Sequence, residues 1–287
     1  MSDQVDLKSN FTEEKPALKI KSGPRVFLGV PHSYNCEWMA LQSIFYETSN
    51  DIINGDLEHV DCPSLLAYGF NQLWCRCLNA GVYEHFYLHH SDIGVRTKFF
   101  VDVMLEDMYK GGFDAIHVPT AIKDDRGITS TAVMDLDNVW SRPRRLTTTE
   151  LSKLPPVFGL DEMLEVMGPP LPNKPCFLPN TGMLLVKLDT WSWDFPGFHV
   201  MDRVKKESVD GKVVAVPQVV PEDWNFGWWM ANNKLKVGAT KRVANNHYQT
   251  RASYPNDQVW GQKQDELYLD QDKLDSVNKR LFRTESR

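Results

Sequence analysis

Apolar residues come in short blocks along this chain, and their spacing switches between strand-like and helix-like. Arg25-Val26-Phe27-Leu28-Gly29-Val30 is a continuous apolar run closed by Pro31-His32-Ser33-Tyr34-Asn35, which predicts a buried first strand and its following loop. Trp38 to Phe45 has helical spacing, and strand–loop–helix is the unit that builds a parallel sheet. Leu65, Leu66, Tyr68, Leu73, Trp74, Cys77 and Leu78 predict a helix over 64–80, stopped by Asn79-Ala80-Gly81. A strand follows in Phe86-Tyr87-Leu88-His89-His90-Ser91-Asp92. Next come an amphipathic helix over 99–110, ended by Gly111-Gly112, and a strand over 114–119.

The second half is less regular. Residues 142–175 are rich in Pro, Thr and charge and read as an excursion over the surface. Regular structure returns as a strand over 182–188, a helix after Glu222 containing Trp228, Trp229 and Met230, and a strand over 235–240. The expected organisation is a polar arm at 1–23, one α/β domain over 24–250 and a charged, helical tail at 251–287. The chain contains no internal repeat.

Composition narrows the class. With 42% hydrophobic and 24% charged residues, the 287-residue chain can bury a sizeable core and is not a disordered one. A formal charge of −6 argues against a surface that binds nucleic acid all over, though not against a local basic groove. The five cysteines are an odd number without a zinc spacing, and Cys75-Arg76-Cys77 points its thiols to different sides of a helix. Reduced thiols, a polar acidic N-terminus and no apolar run of membrane-spanning length lead to an expectation of a cytoplasmic protein without a membrane span.

Three segments carry candidate chemistry. Asp92 ends an apolar strand, where a carboxylate reaches the crevice above a sheet edge and can ligate Mg²⁺ or Mn²⁺; it could equally cap the helix that follows. Glu222 and Asp223 precede an aromatic helix, as an acidic pair complementing the helix dipole or as a source of a general base. His247, in Asn245-Asn246-His247-Tyr248, is a packing residue or a late imidazole ligand that, beside a carboxylate, suits Mn²⁺. Asn180-Thr181-Gly182 is a turn whose Asn could face a sugar, and the polar loop Lys123 to Thr131 could contact sugar or phosphate. Arg142-Pro143-Arg144-Arg145 and Lys205-Lys206 are small basic clusters, solvated or reserved for nucleic acid.

In this order the residues resemble the GT-A glycosyltransferases of the family-2-like kind, from about Arg25 to Tyr248. The resemblance implies a single Rossmann-like, nucleotide-sugar-binding α/β domain with a mixed, mostly parallel central sheet. Val26 to Val30 with Pro31, His32 and Ser33 is similar to the family's first strand and nucleotide-holding loop. The Asp-x-Asp motif here reads His90-Ser91-Asp92, so only Asp92 carries over as ligand of metal and diphosphate. Asn180-Thr181-Gly182-Met183 resembles the turn and strand on the acceptor side, placing Asn180 among the binding residues. Glu222-Asp223 matches the Glu-Asp pair whose Asp is the base, and His247 resembles the late His that completes the metal site. The implied activity is inverting transfer from a nucleotide sugar, most often a uridine diphosphate sugar, with Mn²⁺ or Mg²⁺ as cofactor.

Two other classes remain. A sugar nucleotidyltransferase would carry a glycine-rich basic loop after its first strand, which Gly29-Val30-Pro31-His32-Ser33 lacks. A non-catalytic GT-like module for carbohydrate or nucleic acid is favoured by the replaced first Asp and opposed by the joint presence of Asp92, Asp223 and His247. Neither the acceptor nor the oligomeric state is specified: a polysaccharide, a metabolite, a protein side chain or a modified DNA base all stay open. A nucleic-acid acceptor would require the basic clusters and some aromatics to line one groove.

Overall fold

The computed structural model of the chain describes residues 23–32, 40, 42–44, 54–61, 66–209, 211–249 and 252–261. Ser33, the expected arm up to residue 22, most of the helix expected around 38–45 and the tail beyond 261 lie outside the described residues.

The apolar run at the start becomes β1 (Arg25–His32), which continues through Pro31 and His32 instead of ending before them. It pairs in parallel with β2 (Asn54–Asp61), and Pro31 and His32 still lie opposite Val60 and Asp61. The 64–80 pattern gives α1 (Leu66–Ala80), which presents Phe70, Leu73, Trp74 and Cys77 to the core. β3 (His85–His89) is buried at every position and parallel to β1. β4 (Ile93–Val95) follows a short turn. Then come α2 (Phe100–Gly111), ended by Gly112 in the left-handed region, and β5 (Ala115–His117).

The surface excursion expected over 142–175 is corrected by the structure. β6 (Ile128–Asp135) pairs with β7 (Arg144–Thr147), and α3 (Thr148–Lys153), β8 (Val157–Phe158) and α4 (Leu160–Met167) follow without a long loop. Leu146, Leu151, Phe158, Met163 and Met167 from this stretch are core residues. Thr147 starts α3 with a capping box: its side chain accepts from the Glu150 amide while Glu150 accepts from the Thr147 amide.

β9 (Pro175–Leu178) joins β6, and β10 (Met183–Lys187) enters the main sheet. A hairpin of β11 (Met201–Val209) and β12 (Lys212–Val220) forms a two-stranded sheet of its own and leads directly into α5 (Glu222–Asn232). β13 (Val237–Thr240) closes the core. β14 (Asn245–Gln249) pairs with β4 on one side and with β15 (Ala252–Pro255) on the other. The domain therefore runs past the boundary expected at 250: β15 is in a sheet, and the Trp260 amide donates to Thr148 Oγ1 at 3.3 Å.

The main sheet has the order β2-β1-β3-β10-β5-β13-β8. Pairs β1–β2, β1–β3 and β5–β13 are parallel, whereas β3–β10, β10–β5 and β13–β8 are antiparallel, so the sheet is mixed and not mostly parallel. Both faces are covered, which is why its strands read as unbroken apolar runs. Phe86, Leu88, Leu184 and Val186 face one core with α1 and α5 residues, and Tyr87, Met183 and Leu185 face the other with α2. Among the described residues no helix is long and apolar enough to cross a membrane.

Helix α5 lies on β9 at a backbone contact made by Gly227. A Cβ there would stand 2.5 Å from Pro179 Cδ and 2.8 Å from the Phe177 carbonyl oxygen. Backbone cannot swing aside, so Gly227→Ala is expected to lift the helix and lose about 1–3 kcal/mol in urea unfolding. An unchanged midpoint would show that the contact is not tight.

Candidate functional site

β3 delivers its C-terminal end to one edge of the sheet, and the turn His90-Ser91-Asp92 sits there. The Ile93 amide donates to the His90 carbonyl at 3.2 Å, after which β4 turns away from the main sheet. β4 pairs antiparallel with β14, in a register that sets His247 opposite Ile93. The Tyr248 amide donates to the Asp92 carbonyl at 2.9 Å, which fixes the two segments together. This ladder is how two residues far apart along the chain meet: His247 Nε2 stands 3.3 Å from Asp92 Oδ2.

His247 Nδ1 lies 2.7 Å from the Ala121 carbonyl. A carbonyl only accepts, so Nδ1 carries the proton and Nε2 is the atom turned to the carboxylate, the orientation a metal-ligating imidazole takes. Lys123, on the turn after β5, bonds Asp92 Oδ2 with its ammonium group. Among the described residues Asp92 Oδ1 is buried and meets no hydrogen-bond partner. Burial works against the Asp92 charge, but His247 and Lys123 outweigh it and hold the carboxyl well below the usual range.

His90, at the place of the first Asp of the resembled motif, has its Nε2 3.2 Å from Thr181 Oγ1 and its ring 5.3 Å from Phe70. Burial lowers its pKa to about 4, so it is neutral at pH 7. Buried His89 is also lowered to about 4, hydrogen-bonded between the Tyr87 hydroxyl and the Ile93 carbonyl. Of the groups bonded to Asp92, Lys123 is the one the sequence placed in a polar loop without naming its partner.

Two sequence candidates are placed differently from the expectation. Asn180 is only 3% exposed and its amide group is engaged: Nδ2 donates to the Val118 carbonyl and to Ser130 Oγ, and Oδ1 accepts from the Gly182 amide. It braces the edge from below instead of presenting a donor or acceptor contact. Pro31 is buried within β1, while half-buried His32 lies at its end with its ring 5.4 Å from that of His59.

Glu222 and Asp223 form the first turn of α5. Because α5 leads into β13, which runs parallel to β5, its N-terminus points back to the edge where β3 and β5 end. Gly227, one turn further along α5, packs on Pro179, next to Asn180. Asp223 is not in the Asp92–His247 cluster; its charged neighbours are Glu222 and Arg145, and its Oδ1 accepts from the Trp224 amide at 2.8 Å. The halves also arrive from opposite faces, since Ile93 and Val95 of β4 pack with the α2 core and Phe226 and Met230 of α5 with the α1 core. Desolvation, reinforced by Glu222, raises the Asp223 pKa from its ordinary 3.8 to about 7 despite Arg145. Glu222 is raised too, by burial.

A divalent cation can be tested against these groups. Among the described residues no three His, Cys, Asp or Glu side chains are grouped to hold one. Asp92 and His247 nevertheless present two ligand atoms 3.3 Å apart, beside an unpartnered carboxylate oxygen. Adjacent ligands of one octahedral cation are separated by roughly 3 Å, and Mg²⁺ characteristically takes its other ligands from phosphate and water. The oxygen that faces His247 is the one the Lys123 ammonium bonds, so a cation seated between Asp92 and His247 would have to displace Lys123.

The Asp223 shift has a signed consequence for stability. Between about pH 4 and 7 the folded chain holds a proton that the unfolded chain has lost, so stability falls as pH rises through that window. Asp223→Asn removes this penalty. The variant should melt a few degrees above the parent at pH 8, about 1 kcal/mol or more, with the gain vanishing towards pH 4. A gain independent of pH would show that Asp223 titrates normally.

No family model matches the chain, and no curated protein matches it. Among solved structures the chain is similar to the crystal structure of A197 from STIV, with 13% identity, over 83% of this chain and 95% of that one, at a TM-score of 0.49.

Proposed function

We propose that the chain is an inverting glycosyltransferase of the GT-A kind, moving a sugar from a nucleotide sugar, in the first instance a uridine diphosphate sugar, to an acceptor hydroxyl. One observation carries the reading. The Asp92–His247 pair stands where β3 ends, Gly227 of the helix begun by Glu222-Asp223 packs on Pro179 beside the Asn180 turn, and their environments push the two carboxylates in opposite directions. Separating the pKa values of two carboxylates is how a site assigns one to holding charge and the other to moving a proton.

In this mechanism Asp92 and His247 hold the diphosphate side of the donor. A bound Mn²⁺ or Mg²⁺ on those two residues would offset the charge that develops on the departing diphosphate. Lys123, already paired with Asp92, adds a cation there that can turn to a phosphate oxygen. Asp223 accepts the proton of the acceptor hydroxyl as the oxygen attacks the sugar carbon. Its pKa of about 7 makes it a stronger base than an ordinary carboxylate while leaving it substantially ionised at neutral pH. Glu222 keeps that pKa raised by its adjacent charge.

A second reading, recognition without turnover, draws on His90: a half-buried neutral imidazole stands where the family's motif has a carboxylate. The two readings separate in one assay. Incubated with a panel of uridine diphosphate sugars, with water taking the sugar in place of the acceptor, the chain should release uridine diphosphate in the presence of Mn²⁺, lose that activity with EDTA and regain it when Mn²⁺ is restored. Asp223→Asn should lower the rate about 10²- to 10⁴-fold while donor binding, read as thermal stabilisation, persists. The parent rate should rise with pH through about 7, as Asp223 ionises. Donor binding without diphosphate release by the parent would leave the binding module.

A further inference from the structure

The two basic clusters of the sequence converge. A cleft of about 550 Å³ is lined by Trp140, Arg142, Lys205, Glu207, Gln218 and Trp224, bringing the 142–145 cluster and the 205–206 cluster to one place. One wall is the β11–β12 hairpin. Lys205 and Glu207 alternate with residues of the other face, and their cross-strand partners Val216 and Val214 are half-buried while Val213 is exposed. The other wall is the turn after β6, where Trp140 is half-buried and Arg142 exposed.

Two arginines lie against the aromatic rings of the lining. The Arg203 guanidinium lies 4.1 Å from the Trp140 ring centre and donates to Gln218 Oε1 at 2.8 Å. The Arg145 guanidinium lies 4.6 Å from the Trp224 ring centre. The one carboxylate lining the cleft, Glu207, is paired with Lys205 at 3.0 Å. Arg142 and Arg203 therefore leave local positive charge on a chain whose formal charge is −6. Val220 and Trp224 line the cleft and flank Pro221-Glu222-Asp223 in sequence, so an occupant lies against the start of α5.

We infer that this cleft binds a strand of nucleic acid, with phosphates on Arg142 and Arg203 and a base against Trp140, as the acceptor brought to Asp223. The inference rests on the glycosyltransferase reading for its chemistry, not for its binding. Interleaved aromatic rings and cations are what single-stranded nucleic acid requires: bases stack on the rings, and phosphates displace counterions at the arginines. A neutral polysaccharide would use the rings without the charge; an acidic polysaccharide would use both, and heparin is the competitor that separates it.

The test is fluorescence anisotropy of a labelled mixed-sequence DNA 12-mer on the full chain, over a salt series, with heparin as competitor. Arg142→Gln with Arg203→Gln should weaken binding at least 10-fold and lower the slope of log K against log salt by about 1.4, two single-strand phosphate contacts. The paired Lys substitutions should restore most of it. Trp140→Ala should weaken the 12-mer about 5- to 100-fold, Trp140→Phe much less, and neither should alter heparin binding. Melting temperatures of all variants report whether they fold.

Binding that ignores Trp140, or heparin binding that depends on it equally, would overturn the inference. So would absence of oligonucleotide binding in a parent chain that still releases diphosphate from a donor, and that outcome would leave the glycosyltransferase reading standing. Oligonucleotide binding through these residues, without donor binding, would retain the cleft and remove the transferase.

Discussion

The geometry of the edge depends on one buried amide. β10 runs antiparallel between β3 and β5, so the chain must enter the sheet at the very edge where those two strands leave it. The turn that makes the entry cannot draw on the ladder, and Asn180 supplies the missing bonds. Its Oδ1 takes the Gly182 amide, while Nδ2 takes the Val118 carbonyl and Ser130 Oγ, joining the ends of β10, β5 and β6. The Gly182 carbonyl then accepts from the His90 amide at 2.9 Å and fixes the turn that carries Asp92. Gly182 is needed for closeness, since a Cβ would stand 2.6 Å from Ile93 Cδ1. Loss of such a buried side chain would leave polar groups without partners, which is dearer than the bonds themselves.

Two electrostatic environments are built outward from that turn. Around Asp92 the fold places partners for a charge: an imidazole nitrogen across a ladder and an ammonium from the turn after β5. Around Asp223 it places a second carboxylate and takes water away. The edge contributes little other charge, because burial keeps His89 and His90 neutral and lowers His117 to about 3. What separates the two acids is therefore their neighbours, and not their position on helix or strand.

Much of this was legible in the residues and little of it in their spacing. The helices at 66–80, 100–111 and 222–232 and the strands at 85–89, 183–187 and 237–240 follow apolar periodicity, because each buries a face. The stretch 142–175 misled because Pro, Thr and charge dominate it. Its signals were local, a Thr147-x-x-Glu150 capping box and isolated apolar residues such as Leu146 and Phe158 that meet the core only in three dimensions. The β11–β12 hairpin carried a turn signal in Asp210-Gly211 between its strands, which alternate imperfectly. Asp92 and His247 could be named from type and order, but their meeting is a matter of register between β4 and β14, which periodicity does not encode. Asn180 was read as a turn residue or a sugar contact, and its hydrogen bonds in the fold go to backbone groups and Ser130.

The approach from opposite faces bears on stereochemistry. Inversion requires the attacking oxygen and its base on the side of the sugar away from the leaving diphosphate. β4 comes to the edge over the α2 core and α5 over the α1 core, with the Asn180 turn between. A sugar lying across that turn would have Asp92 and His247 towards one end of the displacement and Asp223 towards the other. One acid is tied by Lys123 and His247 while the other stands apart from them at a helix start, so each carboxylate answers to its own neighbours.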